Sequence, residues 1–184
     1  MMRDSDFQGA KIGKELPIRK NIRLKGYDYS ATGAYFVTIC VKGGHELLGA
    51  VVVGDAVHSV PHVALSQYGM LVRDILENGG DSCIHLDRYI IMPNHIHMIL
   101  TVLHDEQDTK KYTGRDAVDS APYKSQVSTF VRSLKTMTTK KIGFSLWQRS
   151  FHDRIIRDEE EYQRIRQYID ENPVRWTEDE YFAK

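Results

Sequence analysis

The sequence has no apolar run that approaches the length of a membrane span, and residues 1–20 lack the apolar core of a signal peptide. We therefore expect a cytoplasmic protein with no membrane partner. Cysteine is also scarce: Cys40 and Cys83 are isolated and flanked by apolar residues. This spacing excludes a disulfide framework and a cysteine zinc pair, so we expect both to act as small buried hydrophobes.

Internal repeats and a domain linker are absent as well. The 184 residues are 41% hydrophobic and 27% charged, which is typical of one globular domain with a sizeable core. We divide the chain into a basic N-terminal arm, residues 1–26, and a single domain, residues 27–184.

The net charge is zero, but the charges are segregated along the chain. Residues 11–25 hold six basic residues against Glu15, and residues 124–154 hold seven against Asp153. Either block alone is typical of a solvated surface. Together they favour a polyanionic partner bound to one face of the protein.

Hydrophobic periodicity predicts an element order close to β-β-α-β-β-α-(β)-α. The first strand, 34–41, is predicted to form a hairpin through Gly43 and Gly44 with the apolar segment that follows. The polar segment 104–120 is predicted to be a loop. Hairpins alternating with helices indicate an α+β fold, in which an antiparallel sheet has its helices packed on one face.

The stretch "MPNHIHMIL", residues 92–100, places two histidines inside an apolar strand. Because side chains alternate between the faces of a strand, His95 and His97 point away from the core, toward a face that we expect to be open. Two imidazoles on one rigid strand form half of a metal site, although a pair of solvated surface histidines has the same pattern. A third ligand must come from elsewhere in the chain.

The last predicted helix is capped by Asp158, with Glu161 three residues later, and is ended by Pro173. It contains "RIRQYIDENPV", residues 164–174. Tyr168 and Asn172 are four residues apart and therefore lie on the same helix face, where a phenol and an amide oxygen would be presented together. Two structural interpretations stay open. Tyr168 also fits the edge of the core stripe, and Asn172 before Pro173 also fits a helix C-cap.

These motifs resemble those of the single-tyrosine HUH transposases, and most closely the branch of REP-associated tyrosine transposases. The resemblance rests on "MPNHIHMIL", on "LWQRSFHDRIIRDEEEYQRIRQYIDENPVRW", and on "YDYSATGAYFVTICV" near the first strand. It covers most of residues 20–176. It implies a ferredoxin-like fold, and residues 27–184 would form one catalytic domain of this type.

The resemblance also implies roles for four residues. His95 and His97 match the metal-binding pair, Asn172 matches the helix residue that completes the metal site, and Tyr168 matches the nucleophile. The implied cofactor is a divalent cation, Mg²⁺ or Mn²⁺. The implied reaction is metal-dependent cleavage and rejoining of single-stranded DNA near hairpins, through a covalent 5′-phosphotyrosine intermediate.

The basic residues gain a role in this context. Arg132, Lys135 and Lys140 lie off the apolar stripe of their predicted helix, so we expect them to contact phosphates of single-stranded or hairpin DNA. Relatives use the tyrosine helix either within one subunit or across a homodimer, and the sequence leaves both arrangements open. Two other functions stay open: a metal-dependent hydrolytic nuclease without a covalent intermediate, and a non-catalytic nucleic-acid-binding module on the same fold.

Overall fold

The computed structural model describes residues 32–53, 60–79, 83–103 and 126–182. The predicted basic arm, residues 1–26, and the predicted loop, residues 104–120, lie outside the described residues. The described part of the chain forms these strands and helices in order: β1 (Gly33–Cys40), β2 (Gly49–Val52), β3 (His62–Leu65), α1 (Gln67–Asn78), β4 (Ile84–Ile91), β5 (His95–Val102), α2 (Gln126–Ile142), β6 (His152–Ile156) and α3 (Glu159–Glu171).

The main sheet has four strands in the spatial order β4-β5-β1-β6, and every neighbouring pair is antiparallel. Read along the chain, β1, α1, β4, β5, α2 and β6 form a β-α-β-β-α-β unit. This is the ferredoxin-like arrangement, so the predicted α+β fold class is confirmed. None of the described helices is long and apolar enough to cross a membrane.

The main core lies between this sheet and the helices α1 and α2. The even-numbered residues of β5 from Ile96 to Val102 face this core, as their alternation predicts. On α2, Val127, Val131 and Leu134 meet them at helical spacing. Cys40 is buried as predicted, whereas Cys83 is half-buried, and neither forms a disulfide.

The helices do not all lie on one face of the sheet, which corrects that part of the prediction. The apolar stripe of α3 packs against the opposite face, where Ile165 and Ile169 join Ile99 and Ile156 in a second cluster. An amphipathic helix needs an apolar surface to cover, and this face of the sheet supplies one. The face that carries the two histidines is therefore covered rather than open.

The predicted hairpin between the first two strands is wrong. Both edges of β1 are occupied by β5 and β6, and β2 pairs instead with β3, a short strand that was not predicted. Helix α1 then packs closely on the segment before β2. A Cβ atom at Gly69 would lie 2.0 Å from the carbonyl oxygen of Leu48, so only glycine permits this contact.

Helix α3 begins and ends where the sequence predicts. The Asp158 side chain accepts a hydrogen bond from the backbone N–H of Glu161 at 2.7 Å, and the Glu161 carboxylate accepts one from the N–H of Arg157. The helix ends at Glu171, immediately before Asn172. These ends set the position of Tyr168 on the face that is turned toward β5.

Candidate metal and nucleophile site

Both histidine rings are held through their Nδ1 atoms. His97 Nδ1 lies 2.8 Å from the hydroxyl oxygen of Thr38, its partner across the β1–β5 pair. His95 Nδ1 lies 2.8 Å from Asn94 Oδ1. The Asn94 amide nitrogen donates to the carbonyl oxygens of Gly44 and Tyr181, which fixes the amide orientation. An amide oxygen can only accept, so His95 donates from Nδ1 and keeps a lone pair on Nε2.

The Nε2 atoms lie at the opposite end of each ring, and only that of His95 lacks a hydrogen-bond partner within the described residues. The two ring centroids are 4.4 Å apart. His95 Nε2 is buried and has no hydrogen-bond partner within the described residues. Burial lowers the pKa of His95 to about 4 against the influence of Asp179, and burial together with His95 lowers the pKa of His97 well below its usual range. Both rings are therefore neutral at neutral pH, which is the form that binds a metal.

Helix α3 brings Tyr168 and Asn172 of the same chain to these rings. The Tyr168 hydroxyl lies 3.2 Å from His97 Nε2, and the ring of Phe36 packs edge-on against the phenol. Asn172 is 1% exposed, and its Oδ1 atom is buried without a hydrogen-bond partner in the described structure. The four site residues predicted from the sequence, all from one chain, meet in one cluster, where Asn172 is connected to the histidines through Asp179.

A fifth residue, Asp179, joins the cluster and was not predicted. After α3 a short 3-10 turn, Trp176–Glu178, brings the chain back toward the histidines. The candidate ligand atoms of His95, His97 and Asp179 all lie within 4.8 Å of one another. In the sequence this residue is only one of several C-terminal acids, and no helical or strand period links it to the histidines.

Asp179 also contacts Tyr168 and Asn172 on α3. Its Oδ2 atom accepts a hydrogen bond from the Tyr168 hydroxyl at 3.1 Å and one from the Asn172 amide nitrogen at 2.9 Å. Burial, followed by the negative charge of Asp179, raises the pKa of Tyr168 above its ordinary value. The phenol is therefore protonated at neutral pH when no cation lies beside it.

The three basic residues predicted to contact DNA lie on α2, which packs on the other face of the sheet. Arg132 and Lys140 are exposed. The Lys135 ammonium instead donates hydrogen bonds to the carbonyl oxygens of Gln148 and Ser150 at 2.8 and 2.9 Å. The structure does not bring these three residues to the histidine cluster, and their contact with DNA stays a prediction.

Comparisons with known proteins identify a relative by sequence and a solved structure with a similar fold. No protein-family model matches the chain. An uncharacterized protein of Haemophilus influenzae is 30% identical over 175 residues, which cover 90% of this chain and 93% of that protein. Among solved structures, a REP-associated tyrosine transposase bound to a REP hairpin matches with a TM-score of 0.55 and 22% identity, covering 84% of this chain and 74% of that one. The resemblance indicated by the sequence motifs is thereby confirmed in the fold.

Proposed function

We propose that this protein cleaves and rejoins single-stranded DNA near hairpins. The chain belongs to the family of the Haemophilus influenzae protein and has the fold of a REP-associated tyrosine transposase. Tyr168 would be the nucleophile, and His95, His97 and Asn172 would hold a divalent cation. The observation that carries this proposal is the Tyr168 hydroxyl at 3.2 Å from His97 Nε2, inside a cluster of neutral metal ligands.

The residues present fit a divalent cation. Two buried atoms with free lone pairs, His95 Nε2 and Asn172 Oδ1, have no hydrogen-bond partner among the described residues, and burying such atoms unpaired is unfavourable. Imidazole nitrogen with amide oxygen suits Mn²⁺ as well as Mg²⁺. When bound, the cation would neutralise charge on a phosphate oxygen and favour ionisation of the phenol.

The chain's own part in the reaction is to position one nucleophile. Tyr168 Oη would attack the phosphorus, forming a phosphotyrosine bond to the 5′ side while the bond to the 3′ oxygen breaks. The proton lost by the phenol balances the one gained by the departing 3′-hydroxyl. The covalent bond conserves the energy of the broken one, so a second 3′-hydroxyl can reverse the step without ATP.

The solved transposase structure supports DNA as the substrate. The solved transposase was bound to a REP hairpin, and its likeness to this chain extends over most of both proteins. The basic blocks of the sequence are in keeping with a polyanionic partner. We therefore include hairpin DNA in the proposal as the substrate of this chain.

The test is Tyr168→Phe, with Tyr162→Phe as its matched control on the same helix. Wild type is incubated with a labelled single-stranded hairpin oligonucleotide and Mn²⁺, then separated by denaturing gel electrophoresis. We expect cleaved DNA and an SDS-resistant protein–DNA band, both abolished in Tyr168→Phe and in excess EDTA. Tyr162→Phe should retain them, because Tyr162 packs against the second apolar cluster.

Peptide mapping locates the bond. The adduct should lie on the peptide "QYIDENPVR", which contains Tyr168. Cleavage by Tyr168→Phe without an adduct would favour the hydrolytic nuclease instead. Hairpin binding with no cleavage in any divalent cation would favour the non-catalytic binding module.

A further inference from the structure

We infer that Asp179 is an additional ligand of the divalent cation. Metal binding would then stabilise the packing of the C-terminal segment, residues 176–182, against the sheet. This inference rests on the metal site of the proposed function. It adds a ligand that comes from neither the histidine strand nor the tyrosine helix.

Asp179 lies close enough to both histidines to share an ion with them. The ligand atoms of these three residues fall within 4.8 Å of one another, a spacing that one ion can span with small movements. His95 Nε2 belongs to a side chain that is 0% exposed and is unpaired among the described residues. The cluster therefore contains an unsatisfied buried acceptor next to a carboxylate, which is unfavourable unless a cation lies between them.

The charge of Asp179 also suits a cation site. Two neutral imidazoles and an amide carry no formal charge, whereas a carboxylate supplies the negative charge and hard oxygen that Mg²⁺ and Mn²⁺ prefer. Within residues 32–53, 60–79, 83–103 and 126–182, no lysine or arginine forms an ion pair with Asp179. Within these residues, the Asp179 carboxylate is contacted by hydrogen-bond donors and by no positively charged side chain.

The Asp179 side chain is held in place by the same residues that support His95. Its Oδ1 atom accepts a hydrogen bond from the backbone N–H of Tyr181 at 2.7 Å. The Tyr181 carbonyl in turn accepts one from Asn94, the residue that also anchors His95. The rings of Trp176 and Tyr181 lie 5.9 and 4.7 Å from the His95 ring. The carboxylate and the imidazole therefore share one support, as expected of ligands to the same ion.

The experiment measures metal affinity directly, apart from DNA cleavage. The full chain is titrated with Mn²⁺ alone, and free Mn²⁺ is followed by electron paramagnetic resonance. We expect Asp179→Asn and Asp179→Ala to weaken binding at least about tenfold. Glu178→Gln removes the same charge from the preceding, exposed residue and should leave the affinity unchanged.

Hydrogen exchange tests the coupling to the C-terminal segment. In wild type, Mn²⁺ should slow amide exchange in residues 176–182, and this protection should be lost in Asp179→Asn. Melting temperatures of the metal-free variants identify any that fail to fold. Asp179→Asn is the decisive variant because an amide preserves the shape and can still accept the Tyr181 hydrogen bond.

The outcomes separate this inference from the proposed function. If wild type binds Mn²⁺ and His97→Ala abolishes binding, while folded Asp179→Asn binds as tightly as wild type, Asp179 is not a ligand and the metal site stands without it. If wild type binds no Mn²⁺, both the inference and the proposed metal site are wrong.

Discussion

At the scale of single residues, the site is defined by which atoms are paired and which are left free. The Nδ1 atoms of the two histidines are hydrogen-bonded to Thr38 and Asn94, and their Nε2 atoms point into the cluster. Partners of this kind fix ring orientation, and their removal typically weakens a metal site by about 10- to 100-fold. In the proposed metal site, Thr38 and Asn94 would therefore be positioning residues that do not touch the cation.

Replacing Thr38 should reveal this role. Thr38→Val keeps the shape and removes the hydroxyl that meets His97 Nδ1, so we expect Mn²⁺ affinity to fall about 10- to 100-fold while the protein stays folded. Thr101→Val is the control, since Thr101 lies on β5 and donates to Asp87 instead. Titration with Mn²⁺ measures both, and equal affinities for the two variants would contradict the role of Thr38.

The buried histidines predict how stability depends on pH in the metal-free protein. The folded-state pKa of His95 is about 4, below its ordinary value of 6.5. Between these values the unfolded state binds more protons, so the free energy of unfolding should fall as pH drops from 6.5 toward 4. Below that window the folded ring protonates as well, and the contribution of His95 to this dependence ends.

Urea unfolding across this pH range measures the effect. His95→Asn should make the dependence on pH shallower, because the chain then lacks one buried imidazole that must stay neutral. His62→Gln, at an exposed histidine on β3, should leave it unchanged. An identical dependence in wild type and His95→Asn would count against burial as the cause.

At the scale of elements, α3 connects the stability of the fold to the site. Its apolar face covers the second side of the sheet through Ile165 and Ile169. The same helix presents Tyr168 to His97, and Asn172 to Asp179 beside the histidines. A helix that is amphipathic and capped at its first turn keeps these residues in register with β5.

Removing the cap of α3 should destabilise the protein. Asp158→Ala deletes the oxygen that accepts from the Glu161 N–H, and we expect the free energy of unfolding to fall by about 1 kcal/mol. Glu159→Ala removes an exposed acid from the same turn and should cost only about 0.3–1 kcal/mol at low salt. Denaturant unfolding compares the two, and a larger effect in Glu159→Ala would show that capping is not what stabilises this end.

At the scale of the whole molecule, the sheet separates two surfaces. The histidine cluster and α3 lie on one face, and α2 with its exposed basic residues lies on the other. A DNA strand that contacted both would have to pass around an edge of the sheet. Lys135 is not equivalent to its neighbours, because its ammonium already donates to two backbone carbonyls.

Salt dependence tests the predicted role of α2. Arg132→Gln with Lys140→Gln should flatten the slope of log affinity against log salt by about 0.7 for each single-strand phosphate that these side chains no longer neutralise. Arg73→Gln, an exposed arginine on α1, is the control. Fluorescence anisotropy with a labelled hairpin measures the slopes. If the double variant has the wild-type slope, the outer face of α2 does not contact DNA.

The sequence by itself determined the features that depend on local spacing. Alternation along β5 placed Ile96 and His97 on opposite faces, and the cap at Asp158 predicted the start of α3. The four-residue step from Tyr168 to Asn172 predicted that the pair would act from one helix face. Each of these follows from the periods of a strand or helix, or from an N-cap, and needs only neighbouring residues.

Only the tertiary structure decided the contacts between distant segments. The burial of His95 depends on the C-terminal segment, whose Trp176 and Tyr181 rings lie beside it, and the pairing of β2 with β3 depends on β1 having both edges occupied. The position of Asp179 beside the histidines likewise depends on how the chain returns after α3. No local period relates these residues, because their proximity results from packing whole elements against one sheet.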